Sequence, residues 1–114
     1  MKLRKLGEGI IYGSDAPKAG DKSSYMPYFC ELDDGTLLVA TSIGSCFDSP
    51  DSKTFILRST DGGRTYAVPA ECPFDFSDEA YPTEGSMKVA SVGGDHVVAI
   101  GYGFVRNHGD AGPA

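Results

Sequence analysis

Two stretches of the chain repeat one pattern sixty residues apart. "FCELDDGTLLVAT" (29–41) aligns without gaps on "VASVGGDHVVAIG" (89–101). Each reads as a strand, a turn rich in Gly and Asp, and an apolar strand. The second strands, "LLVA" and "VVAI", show no polar alternation. That predicts burial on both faces, as in an inner strand of a layered sheet. Repetition at this spacing restricts the chain to architectures made of recurring strand units.

Between the copies the strand pattern continues. "SIGSCFDSPDSK" reads as a polar loop, "TFILRS" as a third strand, "TDGGR" as a tight turn and "TYAVP" as a short fourth strand. Four antiparallel strands joined by local turns, recurring at roughly 40 to 60 residues, are the signature of a β-propeller. The predicted fold class is therefore all-β, an incomplete propeller. Its first blade spans 27–69, a linker follows over 70–86, and the first half of a second blade fills 87–114. Residues 1–26 form an N-terminal segment in which "GIIYG" (9–13) is expected to be a strand that pairs with the last blade of a closed ring. The 15 glycines and 7 prolines suit short strands and many turns. Only "SDEAY" (77–81) leaves a helix open. The third and fourth strands of the second unit would follow "GDAGPA". The chain is thus expected to be an N-terminal piece of about one and a half blades, exposing sheet edges by itself.

Charge and composition exclude several classes of partner. The formal charge is −6 and no basic cluster is visible, which argues against nucleic acid. No apolar run approaches the roughly 18 to 20 residues of a membrane span. "MKLRKLGEGIIYG" has no apolar h-region, so with Met1 as the start a cytoplasmic location is expected. Cys30, Cys46 and Cys72 are odd in number and form no C-x-x-C pair, which predicts free thiols, no metal and no cofactor.

"STDGGRTY" (59–66) is the most specific local signal. Asp61 is placed to accept from backbone N–H groups further along, as in an Asx turn. Gly62 and Gly63 allow positive φ. Tyr66 is suited to fold back as an apolar plug with a polar tip. The stretch matches the pattern Ser-x-Asp-x-Gly-x-Thr-aromatic, with Tyr where Trp is usual. It resembles the Asp box, or BNR repeat, of sialidase-like (neuraminidase-like) β-propellers. The resemblance implies six blades and a structural role for Ser59, Asp61, Gly63, Thr65 and Tyr66. In a four-strand meander this turn and "DDG" share one face. The loops 13–26, 43–53, 70–86 and 103–114 then open on the other face, where function is expected.

The resemblance covers most of 25–66 and carries site residues with it. Where a sialidase has Tyr/Phe-Arg-Ile-Pro, this chain has "SYMP" (24–27). Tyr25 stands at the arginine that would grip a sialic acid carboxylate. The family's general acid is an aspartate in the loop between strands two and three. Asp48 is the first candidate here and Asp51 the second, a raised pKa being what proton donation needs. In "GYGFVRNHGD", Tyr102 and Phe104 are placed to stack on a sugar, and Arg106, His108 and Asp110 to bind an anion or hydroxyls. Glu79, Tyr81 and Glu84 are placed to face a substrate, with no nucleophile role given to Tyr81 and Glu84, and His96 is expected to be solvated in a turn. The expected function of the whole protein is exo-hydrolysis of a glycoside with an acidic or modified sugar. Its partners would be a carbohydrate or glycoconjugate and the remaining blades, and the piece alone would be inactive. The alternative is a non-catalytic Asp-box propeller that binds carbohydrate or protein.

Overall fold

The computed structural model describes residues 1–12, 22–47, 49–67, 70–71, 83–84 and 87–104. None of these residues is helical, and all regular structure is antiparallel β. One sheet is a four-stranded meander in the order β1 (Ser23–Glu31), β2 (Leu37–Gly44), β3 (Lys53–Ser59) and β4 (Ala70–Glu71). Two-residue strands β5 (Thr83–Glu84) and β8 (Gly103–Phe104) pair with each other. Between them β6 (Lys88–Gly93) and β7 (His96–Ile100) form a hairpin.

The repeat seen in the sequence is also a repeat of register. Phe29 pairs with Val39 and Glu31 with Leu37. In the second hairpin Val89 pairs with Ala99 and Ser91 with Val97. The turns differ, however. Gly35 at φ 85° closes the first, where the Thr36 amide donates to Asp34 Oδ1 at 2.9 Å. The second carries two positive-φ glycines, Gly93 and Gly94.

Burial follows from the position of β2. Val39, Ala40, Thr41, Ser42 and Ile43 are all buried, whereas Leu37 and Leu38, the first half of the apolar run, are half-buried. The Val39 side of the sheet also carries Leu57, its partner in register on β3. There the N-terminal stretch Gly9–Tyr12 lies against Ser24, Pro27, Val39 and Thr41, around a cleft of about 340 Å³. On the other side, β6 packs against β1 and β2. Its Lys88 ammonium lies 5.5 Å from the Tyr28 ring centroid, a cation–π distance.

Three expectations change. β1 starts at Ser23, before the expected blade boundary. The fourth strand is not "TYAVP" but begins at Ala70. Residues 65–67 lie outside regular structure, and 68–69 are outside the described residues. The reason is local: the Thr65 N–H is taken by Asp61, and only the Ala67 N–H reaches back to Arg58 O, at 2.7 Å. Strand β7 alternates rather than being buried throughout. Val98 is 47% and Ile100 71% exposed, because β6 is its only partner among the described residues. Residues 9–12 of "GIIYG" lie outside regular structure, and the blade they are expected to pair with is not among the described residues. The β5–β8 pair falls inside the expected linker and end loop. "SDEAY" lies outside the described residues.

A bulge interrupts β1. Tyr25 pairs with Ser42 and Tyr28 with Ala40, so Met26 and Pro27 together oppose Thr41. Pro27 has no N–H to give the ladder. The Thr41 hydroxyl compensates by donating to Tyr25 O at 2.9 Å and sharing a hydrogen bond with Ser24 Oγ at 2.8 Å. Met26 sits at φ 54°, the left-handed region that disfavours a side chain. That costs on the order of 1–2 kcal/mol. Met26→Gly should therefore keep or raise stability, despite losing the half-exposed side chain. Met26→Ile should lower it, since a branched Cβ tolerates this region least. Urea unfolding of the two variants checks the order, and equal midpoints would show that the bulge stores no strain.

Candidate functional site

Turns and loops separate to opposite ends of the meander. At one end Asp61 organises "STDGGRTY". Its Oδ1 accepts from Ser59 Oγ at 2.8 Å, the Arg64 amide at 3.0 Å and the Thr65 amide at 2.9 Å. Its Oδ2 accepts from the Thr65 hydroxyl. Buried Ser59 in turn accepts from the Gly63 amide at 2.9 Å. Gly62 and Gly63 have φ of 75° and 89°, as the turn reading requires. A Cβ on Gly63 would lie 3.3 Å from both Leu37 Cδ1 and Tyr66 Oη, so Tyr66 does fold back over the turn. The Leu37 contact places this turn beside the β1–β2 turn. The second hairpin reaches the same end, where the Gly94 amide donates to Asp33 Oδ2 at 2.5 Å.

The opposite end holds the loop between β2 and β3. Asp51 is its hub. Ser45 donates to it twice, through Oγ at 2.7 Å and through its amide at 3.0 Å. Ser49 Oγ donates at 2.6 Å, and the Lys22 ammonium lies 3.4 Å away. Gly44 lets the loop fold back, for a Cβ there would meet Ser49 Oγ at 2.6 Å and Ser52 Cα at 3.0 Å. Tyr25 arrives from the start of β1. Its hydroxyl is hydrogen-bonded to Ser52 Oγ, and its ring centroid lies 5.1 Å from that of Phe47 at an interplanar angle of 58°. Ser52 is fully buried, whereas Phe47 is 53% exposed.

The structure thus brings Tyr25 and Asp51 together at the expected end. Exposed Tyr102 follows β7 at the end away from Gly94, with Lys88 opposite Ile100 in the register. Asp48, Arg106, His108 and Asp110 lie outside the described residues, as do Glu79 and Tyr81. His96 is exposed in its turn, 3.7 Å from Asp95 Oδ1. Cys30 and Cys46 are free thiols, and burial raises the Cys30 pKa. No group of three His, Cys, Asp or Glu among the described residues is arranged to hold a metal ion. Sequence reading missed Lys22, Ser45, Ser49 and Ser52. The serine density around Asp51 was the available signal.

The carboxylates at the two ends share one electrostatic character. Burial pushes the Asp51 carboxyl up, but the Ser45 and Ser49 hydroxyls, the Ser45 amide and Lys22 outweigh it. The net result lies well below the usual carboxylate range. The donors around Asp51 thus favour its ionised form. Asp61 is also held well below that range, first by the Thr65 hydroxyl, then by the Thr65 amide, Ser59 and the Arg64 amide. Compared with known proteins, the chain matches no family model, no curated protein and no solved structure.

Asp61→Ala should lower the melting temperature at pH 7 by leaving the Arg64 and Thr65 amides without their acceptor. Because the folded pKa lies below the unfolded value near 3.9, the stabilisation is complete above about pH 4. It is lost as pH falls through the folded value. The gap between native and variant melting temperatures should narrow on that acid limb. A gap unchanged between pH 7 and pH 3 would show that the Asp61 charge contributes nothing.

Proposed function

We propose that the chain belongs to a sialidase-like Asp-box β-propeller that acts on a terminal sugar of a glycan. One observation carries this reading: the Asp61 hydrogen-bond knot sits on the third-to-fourth strand turn of an antiparallel meander. The repeated register of the two hairpins supports it, since blades recur as units. So does the packing of β6 on one face of β1–β2, with Gly9–Tyr12 on the other. In a ring, each blade has such a neighbour on each side. Six blades and a glycoside-hydrolase activity are part of the proposal. Asp48, which lies outside the described residues, is the proposed general acid, and the Arg106–Asp110 segment is proposed to contact substrate.

A second reading, a propeller that binds glycan without cleaving it, draws on Asp51. The hydroxyl and ammonium donors gathered on its carboxylate favour the ionised form and so speak against a proton-donor role for it. Paired substrates separate the readings. Asp48→Asn should lower turnover by about 10²–10⁴-fold on a glycoside with a poor leaving group. It should lower it much less on an activated aryl glycoside, which needs little protonation. Equal small losses on both would remove Asp48 from the mechanism. Glycan binding without turnover of any glycoside would decide for the second reading.

A further inference from the structure

The two hairpins meet through unlike faces. In β6–β7 the paired positions sort onto two sides, Val89, Ser91, Val97 and Ala99 on one, and Lys88, Ala90, Val98 and Ile100 on the other. The first four are half-buried and the second four exposed. The half-buried side is therefore the one turned towards β1 and β2, on which β6 packs. In the first hairpin the aligned positions are Phe29, Glu31, Leu37 and Val39 for that side, and Cys30, Leu38 and Ala40 for the opposite one. β6 packs on the Ala40 side, where Lys88 reaches over Tyr28. The second unit thus lays the side that corresponds to Phe29 and Val39 against the Ala40 side of the first.

The same two kinds of face recur on the outside of the pair. Ala40 is fully buried, whereas Ile100, which aligns with it, is 71% exposed. Val98 is exposed beside it. On the first hairpin Phe29 is also 71% exposed, and it lies on the side that the second unit uses for docking. The N-terminal stretch rests against Ser24, Pro27, Val39 and Thr41 and leaves Phe29 in water. Large apolar side chains kept in water on two outer faces favour association, because burying them releases the water around them. The chain itself shows what fits such faces, for its own two units are already joined in this relation. Repeating that contact between molecules continues an interface that exists within one of them.

We propose that copies of this chain associate head-to-tail, the Val98–Ile100 face of one docking on the Phe29 face of the next. The two faces differ, so the contact is heterologous, and each copy keeps one face of each kind for a further neighbour. The proposal involves no glycan chemistry, and its failure leaves the glycan reading where it stands. Sedimentation velocity of the full chain tests it. The mean mass of the native protein should rise with concentration over the micromolar range. Ile100→Lys should block one face and Phe29→Lys the other, so each variant alone should stay monomeric. Mixed in equal amounts, the two should form a one-to-one dimer that grows no further, since each brings the face that the other lacks. Both positions are exposed, so both variants should keep the native melting temperature. Should either lysine variant fail to fold, Phe29→Ser and Ile100→Ser make the same two blocks. A native chain that stays monomeric throughout would overturn the proposal. So would either folded variant associating as strongly as the native chain, or a mixture that gives no dimer.

Discussion

Strand β2 leaves water on both faces at once, and the rest of the molecule is arranged around that fact. From Val39 to Gly44 every residue is buried. Each backbone N–H and C=O there must find a partner inside the protein, because an unmade hydrogen bond in such a place is costly. β1 and β3 supply those partners along its two edges. The N-terminal stretch then lies over one face, and β6 packs against the other. Even its polar side chains obey the same demand: Thr41, 1% exposed, gives its hydroxyl to the carbonyl of Tyr25. The bulge is thereby held to the strand it interrupts, and the bulge sets where Tyr25 leaves the sheet.

Much of this was legible in the residues, and what was not has physical causes. The gapless alignment of 29–41 on 89–101 carried over into matching registers, since period-two side-chain patterning leaves a strand little freedom to slip. The Asp61 turn was legible because its hydrogen bonds are local and each residue type in it has one job. The bulge was not, because Met26 occupies a left-handed position normally marked by glycine. The fourth strand was placed too early because Thr65 and Tyr66 have strand-forming character. Their backbone is already committed to the Asp61 knot. The exposure of β7 was hidden for a different reason: an apolar strand reads the same whether or not something covers it.

At the loop end the sequence brought forward Tyr25 and Asp51, and both reach that end, Tyr25 on Ser52 and Phe47, Asp51 on Ser45, Ser49 and Lys22. The donors folded around Asp51 were not legible there. Ser45, Ser49 and Lys22 are separated from Asp51 by different lengths of chain, and only the return of the loop at Gly44 and the path of β1 gather them. A carboxylate in so dense a donor shell acts as an anchor for the loop. The stability of that loop, and with it the placing of Phe47, depends on Asp51 staying charged.

The contact between Asp33 and the Gly94 amide joins two turns that lie 61 residues apart in the chain. It has a companion at the far end of the same hairpin, where Lys88 rests over Tyr28. One attachment would leave the second hairpin a swivel. Two attachments, at opposite ends of β6, leave it a single dihedral relation to the first sheet. In a protein built from recurring units, the angle between successive units decides whether they spiral outward or close on themselves. One aspartate accepting one backbone proton thus acts on the pitch of whatever is built from this pair.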